Sequence, residues 1–128
     1  MTTQRRRILI VDDDPLQVGL LGRQLANTGI AASIEGHTST AAALASLATA
    51  IGPDTLVMLD LNMPETDGIV FLRQLAASGF SGSVVLVSGE DERIIETAAR
   101  LAAAYRIDVL GSLVKPVPPS CLQAMLRR

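Results

Sequence analysis

Ile8-Leu9-Ile10-Val11-Asp12-Asp13-Asp14-Pro15 is an apolar run that stops in acids and then turns into a helix start. Four consecutive large aliphatics without alternation require cover on both faces, as a strand of a parallel sheet between helices receives. Asp14 before Pro15 predicts an N-cap followed by proline at the first helical position. The same grammar recurs downstream. Thr55-Leu56-Val57-Met58-Leu59-Asp60 and Ser83-Val84-Val85-Leu86-Val87-Ser88 are apolar runs closed by one polar residue, and Asp108 to Val114 runs into Lys115-Pro116. Ile30 to Glu35 reads as a weaker second strand.

Helical spacing fills the intervals. Leu16, Leu20, Leu21 and Leu25 predict the apolar face of a first helix that Asn27-Thr28-Gly29 ends. Thr38 or Ser39 caps a second helix with Leu44, Leu47, Ala48 and Ile51 on one side, broken by Gly52-Pro53-Asp54. A third runs from about Gly68 to Ser78, and a fourth from Glu90 to Tyr105 with Ile94, Ile95, Ala98 and Leu101 together. The last spans Ser120 to Arg128. Strand and helix alternate five times without linker or repeat, which predicts a single doubly wound α/β domain.

Composition narrows the function. A chain of 128 residues, 48% hydrophobic and 19% charged, can bury one core. Two Phe, one Tyr and no Trp leave almost no platform for stacking bases, and a net charge of −2 provides no basic field for nucleic acid or anionic membrane. The longest uncharged run, Gly36 to Pro53, is interrupted by polar residues and predicts no membrane span. With no leader pattern and one cysteine, a reducing, cytoplasmic setting is the simplest expectation. Cys121 reads as a small hydrophobe on the last helix, Arg5-Arg6-Arg7 as a solvated entry to the first strand, and His37 as a solvated loop histidine.

Sites on open α/β sheets lie beyond the carboxyl ends of the strands. Those ends carry Asp12-Asp13, Asp60, Ser88 and, after the last strand, Lys115. Three carboxylates crowded on one rim repel one another unless a cation intervenes. A hard divalent ion with oxygen ligands, Mg²⁺, suits them best. With Lys115 it would make a place to neutralise a phosphoryl group, toward which an aspartate is a competent nucleophile.

Four motifs, each at a strand end, carry a resemblance over essentially the whole chain. They are Ile8 to Pro15, Leu59-Asp60-Leu61-Asn62-Met63-Pro64-Glu65-Thr66-Asp67-Gly68, Val87-Ser88-Gly89 and Val114-Lys115-Pro116. The chain resembles the receiver domain of two-component response regulators. The resemblance implies one receiver domain over residues 1–128, flavodoxin-like (βα)5, with a parallel five-stranded sheet in order 2-1-3-4-5. Asp60 would accept a phosphoryl group from a sensor histidine kinase or phosphotransfer protein. Asp12, Asp13, Asp60 and the Asn62 carbonyl would hold Mg²⁺. Ser88 and Lys115 would contact the phosphoryl group, the Lys115–Pro116 peptide would be cis, and the side chains of Asn62 and Glu90 would help set phosphoryl lifetime. The module would signal, catalysing only its own phosphorylation and dephosphorylation.

Two departures qualify the resemblance. Ser112 stands where the family usually carries an aromatic, three positions before the lysine, so output is expected through the strand-four loop and helix four. The stretch from Ser88 to Lys115 is longer than usual and is similar to receivers joined to EAL-type cyclic-di-GMP phosphodiesterase domains. The apolar face of helix four could serve an output partner or a weak homodimer, although covering the sheet demands the same pattern. The alternative function is a receiver-shaped interaction module that does not switch. Flavin binding is disfavoured because Asp12-Asp13-Asp14 would repel a phosphate, and an aspartate phosphatase would need an acid where Asn62 stands.

Overall fold

A computed structural model of the chain describes residues 7–48, 52, 54–63, 68–89 and 92–127. Its order is β1 (Arg7–Val11), α1 (Pro15–Asn27), β2 (Ser33–His37), α2 (Thr40–Leu47), β3 (Thr55–Asp60), α3 (Gly68–Ala77), β4 (Ser83–Ser88), α4 (Glu92–Ala104), β5 (Asp108–Val114) and α5 (Pro119–Leu126). The strands form one parallel sheet, β2-β1-β3-β4-β5, as expected. No helix among the described residues is long and apolar enough to cross a membrane.

The unbroken apolar runs became the centre of the sheet. Every residue of β3 and β4 is buried, and four of five in β1, because helices close over both faces. On one face Leu9, Val57, Leu59 and Leu86 meet Ala43, Leu47, Phe71, Leu72, Leu75, Ala98 and Ala102 from α2, α3 and α4. On the other, Ile8, Ile10, Met58, Val85 and Val87 meet Leu21, Leu25, Leu122 and Met125 from α1 and α5. Burying each of the larger side chains here contributes on the order of 1.5–3 kcal/mol, so these two layers dominate the fold's stability.

Local signals mostly hold. Asp14 caps α1 through the Leu16 amide at 3.0 Å, with Pro15 in the first turn. Ser39, not Thr38, caps α2, accepting from the Ala42 amide. The end of α3 places Gly79 at φ +80°, a left-handed conformation that costs glycine nothing. Arg106 holds the equivalent post at the end of α4 at φ +60°, where a side chain is strained.

Several expectations are corrected. Pairing of β2 starts at Ser33 and ends at His37, rather than running from Ile30 to Glu35, because its register is set against Arg7–Val11 of β1. Ile30 and Ala32 lie in the approach loop yet pack on the α1/α5 layer, which explains their apolar character. Gly36 is part of that pairing: a Cβ there would sit 2.2 Å from Val18 Cγ1 of α1. Leu16 and Leu20 are 80% and 52% exposed, so the buried stripe of α1 is Val18, Leu21 and Leu25. At 100° per residue, Leu16 and Leu20 stand roughly 160° away from Val18. The α2 stripe is Thr40, Ala43 and Leu47, with Ala48 exposed and Ile51 outside the described residues. In α4 the buried line is Ala98 and Ala102, with Ile94 and Ile95 packed partly buried beside it. Cys121 is exposed on α5 rather than packed as a hydrophobe.

The pairing of β5 with β4 is irregular at one point. Val84 pairs with Val109 but Val85 with Gly111, so β5 carries a bulge at Leu110. One extra residue is absorbed there, and Ser112 lies exposed opposite Leu86.

Candidate functional site

Because every strand runs in the same direction, their polar terminal residues arrive on one rim. Val11 pairs with Leu59 and Asp60 with Val87, and the ladder continues one residue past the strands. The Leu61 amide donates to Val87 O at 2.9 Å, the Lys115 amide to Ser88 O at 2.9 Å, and the Asp12 amide to His37 O at 3.1 Å. Asp12, Asp60 and Ser88 are all but inaccessible, while Asp13 is exposed.

Each buried carboxylate is held at both oxygens. Asp12 accepts the Asp14 amide at Oδ1, 3.0 Å, and the Lys115 ammonium at Oδ2, 2.8 Å. Asp60 accepts the Asn62 amide at Oδ1, 3.0 Å, and has Lys115 Nζ 3.4 Å from Oδ2. The Lys115–Pro116 peptide is cis. One oxygen from each of Asp12, Asp13 and Asp60 lies within 4.8 Å of the others.

The electrostatics follow from this count. Burial pushes the Asp60 carboxyl above its ordinary range, opposed by the Asn62 amide and reinforced by the Asp12 charge. Burial alone would lower Lys115, but its bond to Asp12 and the charge of Asp60 outweigh it and hold the ammonium above its usual value. Three carboxylates face one ammonium, so negative charge is in surplus on a rim that excludes much of the water. A donor set of carboxylate oxygens, one of them open to solvent, fits a hard divalent cation that keeps several waters.

Ser88 and Asn62 meet directly. The Ser88 hydroxyl donates to Asn62 Oδ1 at 3.2 Å, and the Gly89 amide donates to the same oxygen at 2.7 Å. Beside the site lies a groove of about 290 Å³ lined by Asp12, Leu20, Leu21, Lys115 and Val117. Gln24 of α1 fastens its edge by donating to Val117 O at 2.9 Å. Glu90 and the segment Pro64 to Asp67 lie outside the described residues.

Other expectations change. His37 is no solvated loop residue: it ends β2, is largely buried, and its Nε2 is sealed from solvent without a hydrogen bond among the described residues, 3.8 Å from Glu35. Arg7 is no solvated entry either. Its guanidinium bonds Glu35 of β2 and both the hydroxyl and carbonyl of Ser46 on α2, while Ser46 Oγ donates to Glu35 at 3.0 Å. Arg5 and Arg6 lie outside the described residues. This network had no spacing signal, since Arg7 stands 28 residues from Glu35 and 39 from Ser46.

The rim of acids with its lysine, on a five-stranded sheet of this order, coincides with a known family. The pattern of the response regulator receiver domain matches residues 8–127, and the chain belongs to that family, a component of two-component systems. A response regulator of Colwellia psychrerythraea superposes with a TM-score of 0.81 at 30% identity, covering 94% of this chain and 93% of that one. Two Pseudomonas aeruginosa relatives are a positive alginate biosynthesis regulatory protein, 29% identical over 94% of this chain and 46% of its own length, and a cyclic di-GMP phosphodiesterase, 27% identical over 94% and 30%. The chain therefore spans less than half the length of these curated relatives.

Proposed function

We propose that residues 1–128 act as one receiver domain whose phosphoacceptor is Asp60. The observation that carries this is Lys115 Nζ placed 2.8 Å from Asp12 and 3.4 Å from Asp60, with Asp13 within reach of both acids. In the transfer an Asp60 carboxylate oxygen forms a bond to phosphorus as the donor's P–N bond breaks, and the imidazole leaves with that electron pair. Lys115 holds Asp60 oriented and then neutralises phosphoryl oxygens. The buried Ser88 hydroxyl bonds one of those oxygens and draws in the β4–α4 loop. Asp12, Asp13, Asp60 and the Asn62 carbonyl would hold Mg²⁺, which when bound supplies the positive charge that offsets the phosphoryl group. Asn62 and Glu90 are the positions that tune phosphoryl lifetime.

The donor is a sensor histidine kinase or phosphotransfer protein, the setting cytoplasmic, and catalysis is confined to the domain's own phosphorylation and dephosphorylation. Output passes to a partner domain or protein through the β4–α4 loop and α4, with a weak homodimer on the same face as its other use. The relative with a phosphodiesterase name supports kinship with receivers joined to EAL-type cyclic-di-GMP phosphodiesterase domains. Phosphorylation shifts the balance of two conformations only by its differential contacts, and Ser88 and Lys115 supply them. A receiver-shaped module that does not switch is the second reading, favoured by exposed Ser112 on β5.

The test is intact mass after incubation with Mg²⁺ and acetyl phosphate, beside an Asp60→Asn control. One hydroxylamine-labile phosphoryl group in the wild type alone, abolished by EDTA, is expected. No adduct, together with no Mg²⁺-dependent beryllofluoride binding, would replace this reading by the non-switching one.

A further inference from the structure

The contacts of the Asn62 side chain point to a role distinct from the one its backbone carbonyl has in the proposed metal site. Two donors from the end of β4, the Ser88 hydroxyl and the Gly89 amide, converge on the single atom Asn62 Oδ1. Both partners donate, so the amide is oriented with its oxygen toward them. Ser88 is buried, and its hydroxyl proton is committed to this contact. Asn62 itself is exposed, so no packing requirement explains why its side chain reaches back across the loop. Two convergent donors beside a buried nucleophile form a small cradle for an anionic oxygen. In this conformation a neutral amide oxygen fills it.

We infer that the Asn62 amide is an internal occupant of the phosphoryl-oxygen cradle, a clasp that holds Ser88 and Gly89 in the unphosphorylated state and must release them when Asp60 is modified. The inference rests on the reading of Asp60 as phosphoacceptor. The clasp sets a threshold: a phosphoryl oxygen has to replace two hydrogen bonds already made, which lowers the domain's apparent affinity for that ligand. It also holds Ser88 and Gly89 at the end of β4 before any signal arrives, so that release of Asn62 and capture by the phosphoryl group exchange one set of contacts there for another.

The test uses Asn62→Ala in the full chain, which keeps the backbone amide on Asp60 and the backbone carbonyl. Two readouts separate this inference from the one beneath it. Amide hydrogen exchange at Gly89, measured without metal or phosphoryl donor, is expected to quicken at least tenfold in Asn62→Ala; an unchanged rate would overturn the clasp. Equilibrium binding of beryllofluoride with Mg²⁺ is expected to tighten about tenfold in Asn62→Ala, the equivalent of about 1.4 kcal/mol, and to change far less when Ser88→Ala is already present. Equal or weaker binding by Asn62→Ala would overturn the competition. Failure of wild type and variant alike to bind beryllofluoride would instead remove the phosphoacceptor reading and the competition with it, leaving the exchange rate to decide whether the clasp exists as a structural tie.

Discussion

Two carboxylates of this sheet, on adjacent parts of the same fold, are treated in opposite ways. Glu35 on edge strand β2 is held below the ordinary carboxylate range, first by its hydrogen bond from Arg7, against a smaller cost of burial, with Ser46 assisting. Asp60 on central strand β3 is held above that range, first by burial and further by the neighbouring Asp12 charge. The Arg7–Glu35–Ser46 cluster balances its own charge: one cation, one anion and a hydroxyl that both donates and accepts. At the rim, Lys115 is shared between two buried acids, with a third at the edge. A closed cluster stabilises; an open one stores a demand for positive charge that a ligand can meet.

The contrast is broken most severely at Lys115. Lys115→Met leaves Asp12 and Asp60 facing each other without a cation and is expected to cost roughly 2–3 kcal/mol in urea unfolding at pH 7, less than the roughly 3–5 kcal/mol of a fully buried pair because the lysine side chain is partly exposed. The folded-state ammonium is raised above its unfolded value, so its contribution is complete below about pH 10.5 and disappears as pH rises through the folded value. The difference between wild type and variant should also shrink in acid as the raised Asp60 carboxyl protonates. A constant difference from pH 3 to pH 9 would show that lost packing, not charge, is responsible.

Arg7→Met should cost about 1–2 kcal/mol, as expected for hydrogen bonds to a charged group at a partly exposed site. Since Glu35 is lowered in the folded state, this stability is present above about pH 4.5 and is lost as pH falls through the folded value. Unfolding curves of wild type and variant should therefore converge in acid.

Asp60→Asn is expected to do the reverse and raise stability by roughly 1 kcal/mol at neutral pH by removing one of the opposed charges. A raised carboxyl penalises the fold only once ionised, so the gain should grow as pH climbs from about 3.8 and vanish below it. Lower thermal stability of Asp60→Asn at pH 7 would mean that Asp60 is part of a balanced cluster after all. Saturating Mg²⁺ should narrow the gap, because only the wild type retains the full set of acids.

The smallest effect is expected at Ser46→Ala. Losing the hydroxyl between Arg7 and Glu35 costs about 0.5–1.5 kcal/mol, while alanine recovers about 0.5 kcal/mol of helix propensity within α2. A net change under about 1 kcal/mol in the unfolding midpoint is anticipated. Anything much larger would make Ser46 the keystone of the cluster and not its accessory.

How much of this was legible follows from distance along the chain. The bounds of β3 and β4 could be read from the amino acids because each is an apolar run covered on both faces and closed by a polar residue, whereas edge strand β5, with one buried residue, was bounded by Asp108 and by Lys115-Pro116. Asp12, Asp13, Asp60, Ser88 and Lys115 were readable for the same reason, since parallel strands deliver all their ends to one rim. The face of α1 differs from the expected one because its leucines fall on two sides of the helix, Leu16 with Leu20 and Leu21 with Leu25, and only the position of the sheet distinguishes Leu21 from Leu20. Where β2 begins was not local information either, because Ser33-Ile34-Glu35-Gly36-His37 is a poor strand that pairs only because β1 offers it an edge.

The sequence by itself thus determined the alternation of elements, the parallel sheet and the residues on its carboxyl rim, because each depends on neighbours within a few positions. Only the tertiary structure decided which side of each helix is buried, that Arg7 is matched by Glu35 and Ser46, and that Asn62 clasps Ser88 and Gly89. Those outcomes depend on register and crossover geometry, and a hydrogen bond between residues 26 or more positions apart leaves no period in the chain for a reader to find.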